Sequence, residues 1–194
     1  MMDQVAKMRL HLVGQADLVM NSSRLVDPLE PIVQQLRLLT SKRKKTLADH
    51  ERIAEVEWHG ALWASEGRPC LLADAVESCF VDAARKLRLG EVAKSALVCL
   101  RHSPLLYDGP VDAAALWSDP RFRLRKAVAV NGRRVMRTRP RFPQWAAEVT
   151  VSYLPGLLDM EQVVRIFGIA GDLVGIGDWR PRYGRFRVEM LESS

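Results

Sequence analysis

Long apolar runs are missing from this 194-residue chain. None reaches the roughly 18 residues a membrane-crossing helix needs, so no membrane role is expected. Cysteine is scarce. There are three, Cys70, Cys79 and Cys99, an odd number without C-x-x-C spacing. They argue against a disulfide framework and predict reduced, mostly core thiols in a cytoplasmic protein. Met1 to Lys7 lack a cationic stretch followed by an apolar one, so no signal peptide is expected. His50 and His59 do not form an H-E-x-x-H pair, and no carboxylate or cysteine completes a ligand set. No metal and no cofactor are expected.

Acid is missing from one segment altogether. Between Arg121 and Ala147 there are nine Lys and Arg residues and no Asp or Glu. The whole chain carries 29 basic and 23 acidic residues, so outside that segment 20 basic residues face 23 acidic ones. The net charge of +6 therefore resides in one stretch. Concentrated positive charge is better evidence for a polyanionic partner than a diffusely high isoelectric point. A solvated basic face without a ligand is the alternative. What is present in ordinary amount is apolar content, 48%, enough for a globular core at a length suited to one domain or one domain with an insertion.

Met8, Leu10 and Leu12 alternate with Arg9, His11 and Val13, the pattern of a half-buried strand; Asp17 to Met20 reads as a second short one. Asp27-Pro28-Leu29-Glu30 has the form of a helix start, with Leu29, Ile32, Val33, Leu36 and Leu39 following at helical spacing. Lys42-Arg43-Lys44-Lys45 is a cationic linker, a solvated loop unless a nucleic-acid groove lies beside it. Thr46-x-x-Asp49 is a capping box for a helix running to about Trp58. Trp58 and Trp63 read as packing residues. After a turn at Gly67-Arg68-Pro69, the residues Leu72, Val76, Cys79, Phe80, Ala83 and Leu87 mark an amphipathic helix closed by Lys86, Arg88 and Gly90. Ala96 to Leu100 and Leu105 to Tyr107 read as strand, and Val111 to Trp117 as a short helix.

Within the acid-free segment, Ala127 to Val130 reads as a strand and Asn131-Gly132 as a tight hairpin turn. Arg133 to Thr138 is the return strand, with Arg133, Val135, Arg137 and Arg139 on one face and Arg134, Met136 and Thr138 on the other. Because it ends at Pro140, this hairpin is expected to be an exposed arm or an open sheet face, not a buried central strand. Trp145 to Tyr153 alternates with Val149, Val151 and Tyr153 inward. Asp159 caps the last helix, whose expected buried face is Met160, Val163, Val164, Phe167, Ala170 and Val174. Gly168 and Gly171 lie one turn apart on it, as close packing against a sheet requires. The stretch Gly175 to Val188 then holds three glycines, four arginines and three aromatics in fourteen residues. It reads either as a helix cap, turn and basic edge strand, or as a ligand loop suited to a polyanion with stackable bases.

Strand, helices and strand, then hairpin, strand, helix and strand, is an α+β order. Its simplest architecture is a ferredoxin-like (split β-α-β) antiparallel sheet with helices on one face. Residues 22–63 form a helical insertion, residues 121–142 a basic hairpin arm, and residues 1–194 one domain. RNA-binding modules of this class use the open sheet face.

The first strand leading through Gly14, the basic helical insertion, the arginine-rich hairpin and the last helix running into G-I-G-D-W-R-P-R-Y-G-R-F together resemble the RAMP superfamily. Its members are RNA-binding subunits of CRISPR effector complexes, and the likeness rests on element order and one loop. D-P-L-E-P, S-K-R-K-K-T, L-Y-D-G-P and R-T-R-P-R-F, with that loop, resemble a group of bacteriophage and prophage proteins over most of the chain. The resemblance implies a cytoplasmic protein of a bacterial host cell. RAMP loops are more uniformly small and basic than Asp178-Trp179-Arg180-Pro181.

The expected function is non-enzymatic, sequence-tolerant binding of single-stranded nucleic acid, RNA favoured over DNA, with self-association along the strand or with other subunits of a nucleoprotein complex. Lys42, Arg43, Lys44, Lys45, Arg133, Arg134, Arg137, Arg139 and Arg141 are the expected phosphate contacts. Gly175 and Gly177 let the loop approach the strand, Arg180, Arg182 and Arg185 pair phosphates, and Trp179 or Tyr183 stacks a base. Two other classes remain. Some RAMP proteins cleave RNA without metal, and His11, His102 and Tyr183 are the acid–base candidates for that chemistry. A phage assembly component, or an inhibitor imitating a host nucleoprotein subunit, would use the arm to grip an acidic protein surface.

Overall fold

The computed structural model describes residues 5 to 193; residues 1–4, part of the stretch read above for a leader, lie outside it. The alternation at the start becomes β1 (Ala6–Gly14), followed by β2 (Leu18–Val19), α1 (Pro31–Ser41) and α2 (Leu47–Ala61). Then come β3 (Ala64–Ser65), β4 (Arg68–Leu71), α3 (Ala73–Lys86), α4 (Gly90–Ala96), β5 (Leu97–Cys99), β6 (Ser103–Pro104) and α5 (Ala113–Ser118). The arm is β7 (Arg123–Val130) and β8 (Arg133–Phe142), after which β9 (Ala146–Tyr153), α6 (Met160–Ile169) and β10 (Phe186–Ser193) complete the chain. The architecture is mixed α+β with antiparallel sheets.

The central sheet has the order β10-β1-β9-β5, with each neighbouring pair antiparallel. Met8, Leu10 and Leu12 of β1 and Val149 and Val151 of β9 are buried on one face. Helices α3 and α6 cover that face, meeting through Phe80 and Phe167 with ring centroids 4.7 Å apart. The other face is open and mostly charged. Arg9 pairs with Glu148 at 2.8 Å, His11 with Glu189 at 3.4 Å, and Arg187 with Glu189 at 3.1 Å. A three-stranded sheet, β2-β8-β7, stands beside it, and Trp58 of α2 donates to Phe122 O at 2.8 Å beneath the arm. The capping box at Thr46 and Asp49 forms as expected, and Asp159, expected as the cap of the last helix, forms a second box with Gln162. Among the described residues no helix is long and apolar enough to cross a membrane. Burial pushes the thiols of Cys70 and Cys99 up to about 11 and that of Cys79 up to about 12.

Several local expectations give way to the fold. The helix signalled at Asp27 starts at Pro31; Asp27 instead closes a turn by accepting from Leu29 N, and Leu29 stays 79% exposed. Gly90 does not close α3. Arg88 takes the left-handed position at φ +62°, and Gly90 begins α4. Arg68 and Pro69, read as a turn, begin β4, and Met160 is exposed. The arm's return strand is not exposed along its whole length. At its base β8 is central, and Pro140 lies between Arg123 of β7 and Met20, whose N–H donates to Pro140 O at 3.0 Å. Proline is tolerated because β2 ends at Val19, so that on this side only the Pro140 carbonyl is used, by Met20 N.

The two glycines of the last helix divide. A Cβ on Gly171 would lie 2.0 Å from Phe186 O of β10, whereas one on Gly168 would meet nothing within 4 Å. Gly171 is therefore the close-packing glycine, and Gly168 is not. Gly168→Ala is expected to raise stability by about 0.5–1 kcal/mol, and Gly171→Ala to lower it by about 1–3 kcal/mol. Parallel urea unfolding curves check both signs.

Candidate nucleic-acid interface

The helical run after α6 widens at Ala170–Val174 and stops at Gly175, φ +76°. The following loop folds back onto β2. Asp178 N donates to Val19 O at 2.7 Å, Gly184 N to Asp17 O at 2.8 Å, and Ile176 N to Gly184 O at 2.9 Å. A Cβ on Gly177 would sit 2.3 Å from Val19 O, and one on Gly175 2.7 Å from Tyr183 O. The backbone these glycines approach is thus the protein's own. They hold the loop in place and leave no cradle for a ligand.

The loop and the arm meet. Arg139 is 8% exposed and lies between Asp178, at 3.2 Å from Nε, and Glu57, at 3.2 Å from Nη1. Arg137 Nη1 reaches the same Glu57 oxygen at 3.0 Å, and Thr138 N donates to the other at 2.8 Å. Glu57 is buried at 4% exposure and takes the place of a strand along the β8 edge where β2 has ended. One face of the arm carries Lys126 opposite Arg137, with its ammonium 4.9 Å from the Trp179 ring centre and 5.3 Å from that of Tyr183. Those two rings meet edge to face at 6.1 Å. Trp179 itself sits at φ +54°, a costly conformation for a bulky residue.

The expected contacts therefore separate into groups. Arg133, Arg134, Arg182 and Arg185 are exposed. Arg137 is partly exposed and shared with Glu57, and Arg139 is internal. Arg141 donates to Arg121 O at 2.9 Å and lies 3.8 Å from Asp17, at the base of the arm. Arg180 turns away to α3, reaching Asp82 at 3.3 Å. Lys42 reaches Asp49 at 2.5 Å, and that hydrogen bond, with those from Thr46, holds the Asp49 carboxyl at about 2; Arg43 and Lys44 are exposed and Lys45 donates to Lys42 O at 2.7 Å. This linker stands at the far end of α2, roughly 16 Å from Glu57 at 1.5 Å per residue. Lys126 carried no distinguishing sequence signal, since which rings a strand lysine meets is set by a loop more than fifty residues later. Of the acid–base candidates, His102 accepts from Ala73 N through Nδ1 at 3.0 Å, His11 faces Glu189, and Tyr183 lies under Lys126.

Comparison with protein-family models and with curated proteins finds no match for this chain.

Proposed function

We propose that this chain is a non-enzymatic binder of single-stranded nucleic acid, RNA in preference to DNA, whose surface is the Lys126 face of the arm joined to the Trp179–Tyr183 loop. The observation that carries the reading is the meeting of an acid-free basic hairpin with two adjacent aromatic rings under one lysine. Lys126 would move from the rings to a phosphate as a base takes its place, so the cation–π contact keeps the aromatic surface ordered in the free protein. Arg133 at the arm tip, about 13 Å along the strand from Lys126, and Arg182 on the loop would hold neighbouring phosphates. Trp179 at φ +54° supports the same reading, because strained backbone concentrates at ligand sites. The open face of the central sheet is a poorer platform: its arginines and glutamates pair with each other and, among the described residues, no Phe, Tyr or Trp projects from it.

The strand order β10-β1-β9-β5, in which β1-α3-β5 and β9-α6-β10 interleave, supports a ferredoxin-like sheet of RAMP type. On that reading copies assemble side by side along RNA in the cytoplasm of a bacterial host cell.

A salt titration with labelled oligonucleotides tests the function. Three neutralised phosphates predict a logarithmic slope of about −2.1 on single strands, and the double variant Arg133→Glu with Arg134→Glu is expected to flatten it by about 0.7–1.4. Weak binding without a salt slope, or protein that purifies free of nucleic acid at low salt, would count against the function and favour a protein partner for the arm.

A further inference from the structure

A cavity of about 800 Å³ opens beside Glu148 on the exposed face of β9 and shares no residue with the arm–loop surface. Its wall includes Arg68, Arg101, His102, Ser103 and the first residue of α3, Ala73. We propose that it binds a phosphate monoester, carried by a small molecule or by the end of a nucleic-acid strand.

Four features converge on an anion. The first is α3 itself, fourteen residues long and without a side-chain cap at Leu72. Its first-turn amides lack intrahelical acceptors and carry the positive end of the helix dipole. The second is His102. Because Ala73 N donates to Nδ1, that nitrogen bears no proton, and the neutral ring has its N–H at Nε2. The ring is therefore a donor on the side away from the helix. The third is the pair of guanidinium groups: Arg68 and Arg101 are both exposed, and neither has a carboxylate partner among the described residues.

The fourth feature is a serine whose hydroxyl opens onto the cavity. Ser103 is 3% exposed, lines the cavity, and its hydroxyl has no hydrogen-bond partner among the described residues. The residue is buried but its oxygen opens onto the cavity, so the hydroxyl is free to bond a group bound there. Two carboxylates also line the space, Glu66 and Glu148, but Glu148 is held by Arg9 at 2.8 Å. Two free guanidinium groups and a helix end then face the single carboxylate of Glu66. A phosphate monoester, with three terminal oxygens and up to two charges, can engage both arginines, the Ser103 hydroxyl and His102 Nε2–H together. The volume leaves room for the group the phosphate is attached to.

Inorganic phosphate, adenosine 5′-monophosphate and adenosine are titrated into the full chain by calorimetry, with the histidine ring signals followed by NMR. Phosphate and the monophosphate are expected to bind and adenosine not to. The His102 signals are expected to move while those of His50, on α2, stay. Arg68→Ala with Arg101→Ala is expected to weaken phosphate binding at least about tenfold, and Ser103→Ala severalfold. Oligonucleotides with and without a 5′-phosphate separate the sources: a preference for the phosphorylated strand assigns the site to strand ends, and equal binding assigns it to a small molecule. The arm variant Arg133→Glu with Arg134→Glu is expected to leave phosphate binding unchanged, so failure of the arm reading is distinguishable. Absence of phosphate binding, an unmoved His102 signal, or unchanged affinity in the double arginine variant overturns the proposal.

Discussion

Replacing Glu57 by alanine is expected to lower stability by about 3–5 kcal/mol, the range for removing one partner of a buried ion pair. For a chain of this length that corresponds to a fall in unfolding midpoint of roughly 6–20 °C. The carboxylate accepts from Arg137 and the Thr138 amide, forms an ion pair with Arg139, and is itself 4% exposed. Its removal leaves Arg139 buried with Asp178 as its remaining acidic partner and strips the β8 edge of its acceptor. Arg137 is more exposed and recovers water, so most of the loss comes from Arg139 and Thr138. Glu57→Met with Arg139→Met is expected to recover much of the stability, because a buried pair replaced by apolar groups of similar volume is often close to neutral. The cycle is read by urea unfolding, with unchanged m-values showing that both states keep their exposed area. A cost below about 1 kcal/mol for Glu57→Ala would mean that packing under Trp58 holds the arm without help from the network.

The same glutamate marks where the sequence stops being readable. Alternation and capping located β1, α2, β9 and the Asn131-Gly132 turn, because each depends on residues close in sequence; Asn131 and Gly132 sit at φ +48° and +74° as such a turn requires. The misplacements have local rivals that tertiary contacts decide. Asp27 and Pro31 both stand where a helix can start, and Pro31 wins because Asp27 is used in a turn. Gly90 offers a helix stop, yet the chain turns two residues earlier at Arg88. Pro140 excludes a central strand only where its N–H is needed, and just past the end of β2 only its carbonyl is used, by Met20 N. Glu57 did leave a trace: it falls among Ala54, Val56, Trp58, Gly60 and Ala61, all buried, so an acid on that face needs a basic partner. Which arginine supplies it depends on contacts about eighty residues apart.

The candidate site divides along the same line. The acid-free segment and the arginine–aromatic loop were legible as composition. Their meeting was not, nor was the division of the arginines into exposed tips and internal struts. Nine cations in a row of strands look equivalent in sequence. Burial makes Arg139 a strut and leaves Arg133 and Arg134 facing solvent, so charge reversal at the tip is expected to have little effect on folding.

Gly184→Ala is expected to cost about 2–5 kcal/mol and to weaken binding of single strands at the same time. Gly184 lies at φ +72°, and a Cβ there would stand 1.7 Å from Ile176 O. The left-handed conformation alone costs an L-residue about 1–2 kcal/mol, and relieving the overlap adds about 1–3 kcal/mol. The obstacle is backbone on both sides: Gly184 O accepts from Ile176 N, and its own N–H reaches Asp17 O, so neither strand of the loop moves aside without breaking a hydrogen bond. The displacement would pass directly to Tyr183 and through it to Trp179 and Lys126. The change is therefore expected in two readouts, a lower unfolding midpoint and a loss of oligonucleotide affinity larger than that of Tyr183→Leu, which removes one ring but leaves the loop in place. Equal affinity losses in the two variants would mean that the ring alone matters, while an unaffected affinity in Gly184→Ala, measured well below its unfolding midpoint, would remove the loop from the binding surface and leave the arm as its whole extent.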